Sequence, residues 1–193
     1  MFLITKPGEE IIRQFINEQK GKSFSYKEVG STRGGNAPNS YTVDHNQVRL
    51  GTGRAAFDRA IEALRNWKMF DLSWTELYFD DTPIEVGQTV AILIKHFGFW
   101  SLNAARIVYV LDETTNEIEK FGFAYGTLIE HGESGEERFS VELHKQDESV
   151  WYDLYAFSQP NHILAKVAYP AGRYLQKQFA LESKAAMQRA VEK

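Results

Sequence analysis

Tyr125, His131 and Glu137 sit close together in the stretch FGFAYGTLIEHGESGEERF, residues 121–139. A phenol, an imidazole and a carboxylate are the groups that general acid–base catalysis uses, provided the fold brings them within hydrogen-bond reach of a substrate. Tyr26 and Arg106 join them as candidates. Arg106 lies in the apolar run NAARIVYVLDE. Pointing inward, it needs a paired anion: a structural carboxylate or a ligand's acidic group. No Ser-His-Asp or Cys-His order is legible.

The same stretch groups His131 with Glu130, Glu133 and Glu136, donors that suit a hard or borderline cation. Acids at a hairpin tip are more often just solvated, however. His45, His96, His131, His144 and His162 include no i, i+2 or i, i+4 pair. No metal site and no cofactor is assigned. There is no cysteine, which excludes a disulfide framework and any thiolate-ligated metal and fits a cytoplasmic home.

Two glycine patterns invite a phosphate. Gly51, Gly53 and Ala56 match G-x-G-x-x-A between a strand and a helix, the spacing that lets a pyrophosphate approach a helix N-terminus. That motif needs a parallel sheet with crossover helices, and the strands downstream leave no room for them. The alternatives are a tight strand-to-helix turn with Thr52 as N-cap, or free amides that hold an anionic group. KGKSF, residues 20–24, ends like a P-loop but has Ile16 where the first glycine belongs, and it follows a helix.

The elements that must position these groups are read from periodicity. PGEEIIRQFINEQK, residues 7–20, predicts a helix with Ile12, Phe15, Ile16 and Gln19 on one face. Residues 27–40 are loop, and YTVDHNQVRLG is a strand. GRAAFDRAIEALRNW predicts a helix with Phe57, Ala60, Ile61, Leu64 and Trp67 on its stripe. The period then becomes two, giving strands near 75–80, 87–96, 103–112, 118–131, 136–145 and 149–157, several separated by turn signals such as DDTP, DETTN, HGESGE and KQDE. In the fourth of these, Phe121, Phe123, Tyr125, Thr127, Ile129 and His131 take one face and Gly122, Ala124, Gly126 and Leu128 the other. Residues 132–135 make the turn. Such a small-residue face suits the close approach of a helix, a ring or a ligand. Trp151, Asp153, Tyr155 and Phe157 share a face of the last strand. The chain closes in a helix, broken or kinked near Pro170, with Leu175, Phe179, Ala186, Met187 and Ala190 buried and Tyr174 and Leu181 facing away.

Consecutive strands joined by short turns pair antiparallel, and a long apolar-striped helix after them has the sheet's concave face to bury against. The expected class is α+β: a curved antiparallel sheet of about seven strands wrapped on a long C-terminal helix, plus an N-terminal helix. One domain spans 1–193, with residues 1–40 as an N-terminal extension and 41–193 as the core. A net charge of -4 gives no nucleic-acid footprint. The longest apolar runs fall far short of a membrane span, and MFLITKPGEE does not read as a signal peptide.

The blocks FGFAYGTLIEHGESGEERF, VWYDLYAFSQP and LGTGRAAFDRAIEALRNW, with KPGEEIIRQF and FSYKEVGST, resemble the signature blocks of an uncharacterised family of bacteria and plants, the domain-of-unknown-function family nineteen-ninety. That resemblance covers nearly the whole chain and implies no activity. Separately, the element order resembles the helix-grip fold of START domains, the birch-pollen allergen family and polyketide cyclases. It implies a cavity between sheet and long helix that holds an apolar or amphipathic small molecule. The N-terminal helix and loop are additions to that order, and the cavity itself is one place for them.

Three readings follow. The first is a binder of a small apolar or amphipathic molecule, with Tyr26, Arg106, Tyr125, Trp151 and Arg173 as its binding residues: Arg106 and Arg173 facing an acidic head group, Tyr125 and Trp151 forming aromatic walls, Tyr26 at the mouth. The second is a cyclase- or hydrolase-like enzyme using the same cavity. The third is an interaction domain whose cavity is filled by its own side chains and whose apolar patch includes Tyr174 and Leu181.

Overall fold

The computed structural model describes residues 1–37, 39–78, 82–96, 98–161 and 169–192. Its elements are β1 (Phe2–Leu3), α1 (Glu9–Gln19), β2 (Thr42–Thr52), α2 (Arg54–Arg65), β3 (Thr75–Tyr78), β4 (Thr89–His96), β5 (Phe99–Thr114), β6 (Ile118–Thr127), β7 (Glu133–His144), β8 (Ser149–Pro160) and α3 (Tyr169–Val191). His162 and the first half of the DDTP turn lie outside the described residues, as does the segment before Tyr169. Pro170 falls in the first turn of α3, where its missing N–H costs nothing.

The strands form one curved antiparallel sheet in the order β2-β8-β7-β6-β5-β4-β3, with β1 paired to the start of β5. This is a helix-grip fold: α3 and α2 lie against the concave face. Eight strands replace the expected seven because β1 is two residues long, too short to show a period. Two bulges interrupt the ladder, between Arg49 and Gly51 and between Ile107 and Tyr109. A bulge adds one residue to one strand and bends it, which increases curvature. The second also switches faces. Ile107 points to the concave core, whereas Tyr109 and Leu111 join Ala124 on the convex side.

The concave core concentrates toward the second half of α3. Phe57, Leu64 and Trp67 from α2 and its C-terminal turn pack with Phe123, Phe139, Val141, Tyr152, Met187 and Val191. Burying each of these large apolar side chains contributes roughly 2 kcal/mol. Strand β2 passes into α2 through Gly53, whose φ of 83° favours glycine and which holds the N-cap position expected for Thr52. A Cβ on Gly51 would lie 3.1 Å from that of Ala56, so the helix start presses on the strand end. The Gly53 amide donates to the Glu148 carbonyl at 2.7 Å and is not free for an anion.

Helix α1 and the loop after it pack on the opposite, convex face; of the N-terminal extension, Phe2 alone among the described residues lines the space under α3. Ile12, Phe15 and Ile16 of α1 form a second core with Ala91, Leu93, Leu102, Ala104 and Leu128. Among the described residues no helix is long and apolar enough to cross a membrane.

Candidate functional site

Where α3 leaves the packed core, its first half arches over the sheet. Among the described residues a hollow of about 340 Å³ remains there. Ala171, Leu175 and Phe179 line it from α3, and Ile92, Ile94, Phe70 and Leu154 line it from below. Phe70, Tyr125, Phe139 and Phe179 make mutual ring contacts of 5.2–6.4 Å where the hollow meets the core. Beneath β4 and β5, Ser101 is hydrogen bonded to His96 at 3.1 Å and to Asn103 at 3.0 Å, and all three face the hollow.

The other end is acidic. Alternation along β7 aims Glu137 inward, across from Tyr125 on β6 and Ala156 on β8. The Tyr125 hydroxyl donates to Glu137 Oε2 at 2.6 Å. Burial raises the Glu137 carboxyl to about 7; the tyrosine bond pulls it down and nearby Asp44 pushes it up. Burial also lifts the Tyr125 phenol well above its usual range, so it stays a donor. Glu133 is raised by burial, partly offset by Arg173. His131 is lowered to about 4 by burial, and its Nδ1 accepts the Glu133 amide at 3.0 Å, leaving a neutral ring near pH 7. Arg173 grips Asp44 with two bonds of 2.5 and 2.7 Å and reaches Gln176 at 2.6 Å, so its charge is matched within the protein.

A different polar centre lies on the convex side. Glu136, one residue from Glu137, points into the loop that follows α1. It accepts from the Tyr26 hydroxyl at 2.6 Å and the amides of Gly30 at 2.7 Å and Thr32 at 3.0 Å, and from the Thr32 hydroxyl. Arg138 donates to the Thr32 carbonyl at 2.7 Å and to Asp153 at 2.6 Å. Asp153 in turn meets His45 at 2.5 Å and Gln47 at 2.7 Å. Buried polar groups survive when satisfied in this way. The small-residue face of β6 has its explanation here: a Cβ on Gly126 would fall 2.1 Å from the Tyr26 hydroxyl.

Of the five residues chosen from sequence as ligand contacts, Tyr125 alone lines the hollow. Arg173 stands beside it through Asp44. Tyr26 belongs to the convex anchor rather than the cavity mouth. Arg106, on the convex face, donates to the carbonyls of Gln19, Lys20 and Lys22 at 2.8–2.9 Å. Its partner is the C-terminal end of α1, whose bare carbonyls favour a cation, and not a carboxylate. Trp151 is half-buried on the convex face and donates to the Ser149 hydroxyl at 2.9 Å. The sequence reading missed Asp44, because nothing in the period of β2 says that α3 will cross above it. It met Glu133 only as a possible metal ligand.

The acids around His131 do not converge. Glu130 is taken by Gln19 and Lys22, and Glu136 by the convex loop. Among the described residues no three His, Asp or Glu side chains group closely enough to hold a metal ion.

Residues 25–186 match the family model described as domain of unknown function DUF1990. The chain belongs to the DUF1990 family. Similar proteins carry the description UPF0548 protein. One from Dictyostelium discoideum is 39% identical, the match covering 99% of this chain and 96% of that protein. One from Deinococcus radiodurans is 34% identical over 88% of each, and one from Arabidopsis thaliana 32% identical over 94% and 93%. Among solved structures, the DUF1990 chain is similar to Ara h 8.0201, with a TM-score of 0.48, 8% identity and 78% and 97% coverage of the two chains. It is also similar to a START superfamily protein from Mycobacterium smegmatis, with a TM-score of 0.47, 13% identity and the same coverages. The helix-grip architecture of this DUF1990 protein rests on its own strand order and gripped helix.

Proposed function

We propose that the protein holds a small apolar or amphipathic molecule between the sheet and the first half of α3, with Tyr125 and Glu137 meeting its polar end. The observation that carries this reading is the hollow itself: apolar walls with a few polar groups at either end, the acidic ones together at one of them, the composition of small-molecule sites. A volume of about 340 Å³ lies at the lower end of the range for such sites, roughly 300 to 1,000 Å³. Tyr26, Arg106 and Trp151 take no part in this proposal.

The test is titration with the uncharged fluorescent amine N-phenyl-1-naphthylamine. Saturable one-to-one binding is expected, and it should be lost in Ala156→Phe, which fills the hollow from a strand position opposite Glu137. No saturable binding by the folded wild type, or undiminished binding by the folded variant, overturns the reading.

A second reading is enzymatic, favoured by the Tyr125–Glu137 hydrogen bond. A carboxyl that titrates near neutral pH can give and take a proton at working pH. A molecule that co-purifies with Glu137→Gln and is converted by the wild type alone would support it.

A further inference from the structure

The character of the ligand's polar end follows from the charges around the hollow, and this step rests on the binding reading above. Asp44 comes from β2, Glu133 and Glu137 from β7; all three line the hollow. No lysine or arginine among the described residues lines it. Among the described residues, Arg173 is the cation that acts on Glu133, and Asp44 engages it bidentately. His131 has its Nδ1 turned to the backbone, and Tyr125 presents its hydroxyl to Glu137. Tyr152 of β8, whose hydroxyl meets Ser183 of α3 at 2.9 Å, is a further titratable group near Glu137, and His96, lowered by burial, lines the far end of the hollow. Glu137 receives one protein donor where Glu136, next in the chain, receives four. Among the described residues, three carboxyls against one guanidinium leave an excess of negative charge in a partly desolvated space, and a buried unpaired charge is costly.

We infer that the hollow selects an amphipathic cation, a molecule with an apolar body and a protonated amine or quaternary ammonium head that docks beside Glu137 and Glu133. The acidic head group expected from Arg106 and Arg173 is thereby replaced by its opposite. Phe70, Tyr125 and Phe179, at the boundary between core and hollow, add ring faces or edges of the kind that attract cations.

Without a ligand, the excess negative charge is relieved by a proton on Glu137; a bound cation takes the proton's place. Binding a permanent cation therefore releases a proton at acidic pH, and affinity rises as Glu137 ionises. With Glu137 near 7, a quaternary ammonium should bind about tenfold tighter at pH 8 than at pH 6.

The experiment displaces N-phenyl-1-naphthylamine with three probes of equal chain length: octyltrimethylammonium, octanol and octanoate, each at pH 6 and pH 8. The expected order at pH 8 is ammonium tightest and octanoate weakest. The ammonium's pH dependence should flatten in Glu137→Gln, and its advantage over octanol should shrink. If octanol or octanoate matches the ammonium, or if Glu137→Gln keeps the full pH dependence, the inference fails while the cavity reading stands. If the fluorescent probe itself does not bind, the cavity reading fails and this one with it.

Discussion

Glu136 and Glu137 are chain neighbours with opposite surroundings. Glu136 is 2% exposed, yet two amides and two hydroxyls enclose its carboxylate. Glu137 has a single hydroxyl donor and a hollow in front of it. Strand alternation sends them to opposite faces, so one strand carries both an anchor and a candidate site. A saturated carboxylate is structure: it organises a loop with no regular elements beyond a short 3-10 turn. An unsaturated carboxyl facing a hollow keeps its proton near neutral pH and retains bonding capacity for something else. Burial alone does not separate the two; the donor inventory does.

The largest effect expected from breaking this contrast is at Glu136. Glu136→Ala strands four donors at once and should cost about 4 kcal/mol. It should also raise amide exchange across residues 28–34, read by denaturant unfolding and hydrogen exchange. Gly126→Ala attacks the same anchor sterically. The Tyr26 hydroxyl is pinned by Glu136 and cannot yield, so a loss of about 2–3 kcal/mol is expected.

Glu137→Gln should behave otherwise. A carboxyl raised from its unfolded value binds protons more tightly in the folded state, so its contribution falls as pH climbs from about 4.5 to about 7. Above that it costs about 3 kcal/mol. The variant should therefore match the wild type near pH 4.5 and exceed it by up to about that amount at pH 8. His131 works against this trend. Its lowered value means stability is lost as pH drops from 6.5 toward 4, so the difference between the two proteins, and not either curve alone, isolates Glu137. Equal stability at every pH would remove the distinction between the two carboxylates. The smallest effect expected is at Arg106. Arg106→Met should loosen the end of α1 by about 1 kcal/mol, seen as faster exchange at residues 19–22, and leave probe binding in the hollow unchanged.

Periodic features were legible in the sequence. The buried face of α1 is Ile12, Phe15, Ile16 and Gln19 as its spacing predicts, and the hairpin of β6 and β7 puts Tyr125 and Glu137 on one face because alternation forces it. Direction across the sheet was not legible where the cue was a single residue. Arg106 sits in an apolar strand and faces the convex side, where a helix end takes up its charge. Tyr26 lies in a loop, and a loop has no period to say which face it will cover. The bulge at residue 108 flips the parity of Tyr109 without any glycine to announce it. The turn of the β6–β7 hairpin was expected at residues 132–135, but Glu133, Ser134 and Gly135 already belong to β7, since their backbone pairs with β8.

That bulge also bears on how the chain tolerates changes in length. Before it, odd-numbered residues of β5 face the hollow and its core; after it, odd-numbered residues face the loop that encloses Glu136. Deleting the extra residue, Val108, would place Tyr109 directly after Ile107 in an unbroken ladder, so the faces beyond would hold and the local bend would be lost. Tyr109, which meets Thr32 at 2.7 Å, would keep its face, whereas deleting Tyr109 itself with the bulge kept would offer Val110 to that polar loop. Loss of residue 108 should thus keep the strand in phase, whereas loss of a residue beyond it would carry buried side chains such as Leu111 to the wrong face.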